Sequence, residues 1–207
     1  MQDVAPALGA LAGLAGLVGT APYVRDVIAR STRPKRGTWL IWSLLAVVVC
    51  LSQSADGATW SVVMAGAHAA GNALVLALAL RLGAGGLSRP ELLLVALAGA
   101  GVTGWVVADD PLVATACVVV ADLIAAAMMV PKTWRDPSSE TVSTFVLACA
   151  GGALAAASVG ALDPSLLLYP AYYCLVNGAL AALILGRRAV YSAAPGGGAT
   201  SACSRSR

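Results

Sequence analysis

The stretch PYVRDVIARSTRPKR at residues 22–36 separates two hydrophobic runs and holds five of the thirteen lysine and arginine residues. A second stretch, PKTWRDPSSE at residues 131–140, also follows one apolar run and precedes another. Both stretches begin with a proline at the end of the preceding run and carry basic residues before the next run begins. Two copies of one structural unit within the chain explain this recurrence most simply.

The composition is that of a membrane protein. Hydrophobic residues make up 59% of the chain and charged residues 11%, and the mean hydropathy is +0.82, whereas soluble domains carry roughly 25% charge. A spanning helix uses about 20 residues. The 207 residues therefore accommodate about seven spans and no large soluble domain.

Seven continuous apolar runs, rich in alanine and leucine, predict transmembrane helices. The predicted spans are residues 4–23, 38–52, 58–80, 91–108, 111–131, 142–161 and 165–186. Each is close to the length of a helix that crosses a bilayer. We therefore predict an all-α membrane protein with seven transmembrane helices.

The distribution of basic residues predicts the orientation. All of them lie between spans one and two, three and four, five and six, or after span seven, and the opposite connections carry aspartates. Lysine and arginine favour the cytoplasmic side. The expected arrangement is a multi-pass protein of the cell inner membrane with its N-terminus outside and its C-terminus cytoplasmic.

An internal repeat is indicated by the two asparagines of the chain, Asn72 and Asn177, which lie 105 residues apart. The same shift relates His68 to Tyr173. Three spans per copy require one additional crossing if both copies are to share an orientation, so we predict two parallel three-helix repeats joined by a linker helix. The predicted division is 1–83 for the first repeat, 84–110 for the linker with the fourth transmembrane helix, 111–190 for the second repeat and 191–207 for a disordered cytoplasmic tail.

Four polar residues are candidates for substrate binding. His68 and Asn72 share one helix face, as do Tyr173 and Asn177, because residues four apart lie one above the other. Polar side chains within a span should face the bundle interior, and an amide offers both donors and an acceptor to a polar solute. The alternative is that the asparagines form hydrogen bonds between helices.

Asp122 is the one acidic residue deep inside a predicted span. An ionised carboxylate there needs a partner, a proton or water. It is a candidate proton-coupling residue; the alternative is a neutral acid hydrogen-bonded to His68 or to an amide.

Pro22 and Pro131 stand near the ends of their apolar runs. A proline removes one helical hydrogen bond and clashes with the preceding turn. Each should therefore either form a hinge or stop its helix. Trp39 and Trp42, near the predicted cytoplasmic boundary, are expected to be interfacial anchors.

Two features resemble a known superfamily. The succession of apolar run, Pro-x, amphipathic stretch, basic cluster and SSETVS at residues 138–143 resembles the PQ-loop superfamily, with Pro22-Tyr23 and Pro131-Lys132 where that family has Pro-Gln. The 3+1+3 plan is similar to the SWEET sugar transporters and their half-size bacterial relatives. The resemblance implies a solute cavity between two three-helix bundles that opens alternately to each side, with the prolines as hinges. It also implies proton coupling at Asp122, as in the superfamily's cystine transporter.

The predicted function is a transporter that moves a small polar solute, such as a sugar, by alternating access. One alternative is a proton-coupled amino-acid or organic-acid carrier of the PQ-loop type, and another is a non-transporting membrane receptor or assembly protein. The chain has no clustered metal ligands and no nucleophile elbow, so we expect no enzyme, cofactor or metal. The expected partners are the solute and the lipid bilayer and not nucleic acid, and patterns such as Gly9-x-x-x-Gly13 can support a homo-oligomer.

Overall fold

The fold is all-helical in the part of the chain that a computed structural model describes, namely residues 5–55, 60–85, 89–107, 111–159, 162 and 164–193. A short 3-10 helix at Pro137–Ser139 precedes the sixth of the seven α-helices. The α-helices are α1 (Ala5–Ile28), α2 (Arg36–Ala55), α3 (Trp60–Leu82), α4 (Arg89–Val107), α5 (Pro111–Arg135), α6 (Val142–Ser158) and α7 (Pro164–Ala193). The prediction of an all-α protein is thereby confirmed. Most of the predicted tail, 194–207, lies outside the described residues.

Three helices are long and apolar enough to cross a membrane. Within the described residues these segments are Ala7–Ile28, Thr115–Arg135 and Leu167–Ala193. The first has 22 residues, which at 1.5 Å per residue gives about 33 Å, slightly more than a hydrocarbon core. Two shorter apolar segments, His68–Leu82 and Val142–Ser158, belong to α3 and α6. These lengths and compositions fit a membrane protein.

Both predicted prolines lie inside helices. α1 contains Pro22 and ends six residues later at Ile28, and α5 contains Pro131 and ends four residues later at Arg135. The expectation that either proline stops its helix is wrong, because each helix continues for one to two turns beyond the proline. The hinge hypothesis is the alternative that stays a prediction.

A residue with left-handed backbone conformation follows the end of α1. Arg30 has φ 60°, and the backbone N–H groups of Ser31 and Thr32 both donate to the carbonyl of Asp26, each at 3.0 Å. Helices commonly end this way, but the left-handed position is usually glycine because a Cβ there is sterically disfavoured. An arginine at this place therefore costs conformational energy.

Each helix packs against two or more others. α1 contacts α3 and α6, α2 contacts α3, α4 and α5, α5 contacts α4 and α7, and α6 contacts α7. The main apolar core draws on six helices: Tyr23, Val27, Trp39, Val75, Ala79, Ala126, Met129, Phe145, Leu180, Ala181 and Ile184. Its members include residues near the C-terminal ends of α1, α3 and α7. The core therefore lies toward the end of the bundle where the basic connections meet, which we call the basic end.

The α6–α7 contact depends on a glycine. A Cβ added at Gly152 would lie 2.6 Å from the backbone nitrogen and 2.9 Å from the Cα of Cys174. One turn away, the Sγ atoms of Cys149 and Cys174 are 3.5 Å apart. Small side chains thus let the two helix backbones approach closely, as is common between membrane helices.

Trp39 is not an interfacial anchor. Only 5% of it is exposed, its ring centroid lies 4.8 Å from that of Tyr23, and it meets Trp42 edge-on at 5.2 Å. Because α2 begins at Arg36, Trp39 falls in the first turn and packs against α1. The exposed Trp134, with the Arg187 guanidinium 4.3 Å from its ring centroid, has the environment that an interfacial anchor requires.

Candidate functional site

A cavity of about 1230 Å³ lies among α1, α2, α3, α5, α6 and α7. The five residues proposed from the sequence for substrate binding or proton coupling all line it, although they come from three separate helices: His68, Asn72, Asp122, Tyr173 and Asn177. The volume exceeds the 300–1,000 Å³ typical of small-molecule sites. A small solute and several waters fit inside.

Asn72 is held by the neighbouring helix. Its Nδ2 donates to the backbone carbonyl of Trp42 at 3.2 Å and lies 3.5 Å from Nε2 of His68. The Ser43 hydroxyl in turn donates to the backbone carbonyl of Asn72 at 3.0 Å. The amide therefore does form a hydrogen bond between helices, as the alternative interpretation expected. Its Oδ1 accepts no hydrogen bond from the described residues, so this atom can still serve as an acceptor.

Asn177 has a different environment from Asn72. Its Nδ2 donates to the carbonyl of Tyr173 on its own helix at 2.8 Å. The Tyr173 ring stacks on Tyr169, with 5.8 Å between centroids. The two asparagines thus have matching places in the sequence but different hydrogen-bond partners. What they share is burial at the cavity wall.

Asp122 is bound by a tyrosine that sequence reasoning did not single out. Only 7% of Asp122 is exposed, and its Oδ2 accepts a hydrogen bond from the Tyr172 hydroxyl at 2.8 Å. The expected partners, His68 or an amide, are not the ones found, because α7 and not α3 is the helix packed against this face of α5. The Trp42 indole lies beside the same carboxyl. Its buried Nε1–H has no hydrogen-bond partner among the described residues.

One acidic side chain lines the described part of the cavity. Among the described lining residues Asp122 is the one carboxylate, and none is lysine or arginine. The α1 wall consists largely of glycine, alanine and leucine. The few polar groups of α3, α5 and α7 would therefore set the orientation of a bound solute, as in most small-molecule sites.

At the basic end, a buried polar chain joins α1 and α2 to the α5–α6 connection. The Trp39 Nε1–H donates to the Tyr23 hydroxyl at 3.1 Å, and that hydroxyl donates to Glu140 Oε2 at 3.1 Å. Glu140 also forms an ion pair with Lys132. Burial raises the pKa of the Glu140 carboxyl, and the Lys132 ammonium opposes that rise.

A second set of contacts joins the segment after α1 to the segment before α6. The Thr32 and Thr141 hydroxyls are 2.7 Å apart, and Thr141 donates to Asp26 Oδ2 at 3.0 Å. The Arg33 backbone N–H donates to the Ser139 carbonyl at 2.9 Å. We call the side chains of both sets the basic-end latch: Tyr23, Asp26, Thr32, Trp39, Lys132, Glu140 and Thr141. Sequence reasoning quoted SSETVS but assigned Glu140 no role, although an acid between a basic cluster and an apolar run was a usable signal.

Comparison with protein-family models, with curated proteins and with solved structures finds no match to this chain. The PQ-loop resemblance therefore stays a prediction.

Proposed function

We propose that the protein is a multi-pass membrane transporter that moves a small polar solute, such as a sugar, by alternating access between two three-helix bundles. The observation that carries the proposal is the position of the cavity. It is lined by residues of α1–α3 and of α5–α7, and both groups contribute polar side chains, including Asn72 and Asn177. Transporters built from internal repeats place their solute site at such an interface.

The pattern of helix contacts supports two parallel repeats. In two parallel repeats, α1, α2 and α3 correspond to α5, α6 and α7. The contacts α1–α3 and α2–α3 then correspond to α5–α7 and α6–α7, and the contact α1–α6 corresponds to α5–α2. All six contacts occur. A two-fold relation between the bundles accounts for this correspondence. α4 contacts α2 and α5 and takes the place of the linker helix.

Two threonine hydrogen bonds support the same relation. Thr38 Oγ1 on α2 donates to the Ala125 carbonyl on α5 at 2.8 Å, and Thr144 Oγ1 on α6 donates to the Gly19 carbonyl on α1 at 2.9 Å. Donor and acceptor are each displaced by 106 residues, close to the 105 between the asparagines. The prolines, 109 apart, do not fit this register.

The arrangement corresponds to a transporter closed at one end. The latch and the apolar core fill the basic end, while the cavity lining extends along α1 to Gly9, along α5 to Thr115 and along α7 to Tyr169. Basic residues favour the cytoplasm. The proposed state is therefore closed toward the cytoplasm, in an inner-membrane protein with its N-terminus outside.

Solute uptake into proteoliposomes tests this function. The Asn72→Ala/Asn177→Ala variant is expected to reduce uptake about tenfold or more, because each amide lost removes a hydrogen bond to the solute. A panel of radiolabelled sugars and amino acids serves as substrate, and Ser192→Ala, an exposed change on α7, serves as the matched control. Unchanged uptake in a monodisperse double variant would contradict the assigned site. No uptake of any solute by folded wild-type protein would favour the receptor or assembly alternative.

The second candidate function, a proton-coupled amino-acid or organic-acid carrier, is favoured by the place of Asp122 in the cavity wall. Asp122→Asn is expected to abolish uptake driven by an inward proton gradient while retaining solute exchange at equal pH. The asparagine Oδ1 can still accept from the Tyr172 hydroxyl, so folding should be preserved. Gradient-driven uptake at the wild-type rate in this variant would exclude Asp122 as the coupling residue.

A further inference from the structure

A second pocket, of about 540 Å³, lies at the basic end outside the solute cavity. It is formed by the segment after α1 and the segment after α3, and three of its lining residues are arginines: Arg30, Arg33 and Arg81. None of the described residues that line it is acidic. The proposed transport function assigns this pocket no role.

The three arginine side chains make no hydrogen bond or ion pair within the described part of the chain. The Arg33 backbone is bonded, but its guanidinium is not. Arg36, by contrast, donates to the carbonyls of Ala79 and Gly85. The nearby Arg36 is thus bonded to the fold, whereas the guanidinium groups of the three arginines that line the pocket have no partner among the described residues. Such a cluster favours a ligand that supplies negative charge.

The conformation of Arg30 points to the same role. Its φ of 60° is one that glycine adopts without cost and arginine does not. Sparsely populated backbone conformations concentrate where the side chain has a function. Arg30, which has this conformation, is one of the three arginines that line the pocket.

The surroundings of the pocket indicate the source of the anion. Its lining includes the apolar Val27 and Leu82, and the adjacent Ile28 and Leu80 are 62% and 61% exposed, as expected of side chains that face lipid. The arginines therefore lie where the apolar helix surface ends, the depth at which lipid phosphates are found. We propose that this pocket binds a phosphate-bearing anion, and that the ligand in the membrane is the headgroup of an acidic phospholipid.

The full-length protein in uncharged detergent allows the direct test. Short-chain phosphatidylglycerol, short-chain phosphatidylcholine and inorganic phosphate are titrated separately, with bound ligand followed by native mass spectrometry and stability by the unfolding temperature. Phosphatidylglycerol is expected to bind saturably and to raise the unfolding temperature, and phosphatidylcholine is not. If inorganic phosphate binds in an arginine-dependent way and phosphatidylglycerol does not bind, the anion site is retained but its assignment to lipid is overturned. Equal binding of both lipids, or of no probe, would overturn the proposal.

Variants locate the site. Arg33→Gln and Arg81→Gln are each expected to weaken phosphatidylglycerol binding about fivefold, whereas Arg135→Gln, an exposed change at the same end outside the pocket, should leave it unchanged. An equal loss in Arg135→Gln would show diffuse surface charge and contradict a pocket.

Arg30→Gly separates ligand binding from folding. Glycine adopts the left-handed conformation without the steric cost of a Cβ, so the unfolding temperature of the ligand-free protein should rise. Phosphatidylglycerol binding should weaken about fivefold, because one arginine is lost from the pocket. A purely structural Arg30 would not move the two readouts in opposite directions. Full binding in Arg30→Gly would remove this residue from the site.

Discussion

Glu140→Ala is expected to destabilise the protein by about 3–5 kcal/mol. The Glu140 side chain is fully buried, and the Lys132 side chain with which it pairs is 13% exposed. Truncation would leave the Lys132 ammonium without its counter-charge and the Tyr23 hydroxyl without its acceptor. A buried charge that loses its partner costs far more than the pair contributes.

The unfolding temperature of purified protein in detergent, followed by tryptophan fluorescence, measures this effect. Glu140→Gln keeps an acceptor for Tyr23 but loses the charge, so it should fall between wild type and Glu140→Ala. Lys132→Met/Glu140→Leu should recover part of the loss, because neither charge remains buried. Recovery should be incomplete, since Lys132 also donates to the carbonyls of Arg33 and Ser139. An unfolding temperature equal to that of wild type in Glu140→Ala would refute the description of the latch as a buried, coupled network.

Gly152→Ala is expected to destabilise the protein by about 1–3 kcal/mol. The new Cβ would be placed 2.6 Å from a backbone nitrogen of α7, and backbone atoms cannot rotate away as a side chain can. α6 and α7 would have to separate along their contact. The loss of stability is measured by the unfolding temperature and by the fraction of protein that remains monodisperse after heating.

Gly186→Ala is the matched control for this substitution. Gly186 lies on α7, and in the described part of the chain a Cβ there would have no neighbour within 4 Å. Alanine should therefore stabilise that helix by about 0.5–1 kcal/mol through its higher helix propensity. Equal effects of the two substitutions would mean that α6 and α7 are not in close contact at Gly152.

Helices and buried polar positions could be predicted from the sequence because each depends on local pattern. Apolar runs interrupted by basic segments indicated the helices, and spacing of four residues placed His68 with Asn72 and Tyr173 with Asn177. Each of these residues does line the cavity. For Asp122, burial within an apolar run was sufficient to predict that it faces the interior.

The partners of those residues could not be predicted, because they depend on which helices become neighbours. Tyr172 binds Asp122 because α5 packs on α7, and no spacing in the sequence records that contact. Trp39 was assigned to the interface because it lies near the predicted cytoplasmic boundary. In the structure it lies in the first turn of α2 and packs against α1. Pro131 resembled a stop signal because an apolar run ends there, yet α5 continues to Arg135.

If the proposed transport function is correct, the α1 wall of the cavity has a consequence for solute selectivity. Gly9 and Gly16 line the cavity, and a Cβ at either position would meet no neighbouring atom of the described residues within 4 Å. Single methyl groups can therefore be added to this wall without forcing any neighbouring helix to move. In the proposed transporter, alanine substitutions on α1 alone would then favour smaller solutes, while the polar groups opposite stay in place. The size limit for the solute would be set by α1, and its orientation by the other helices.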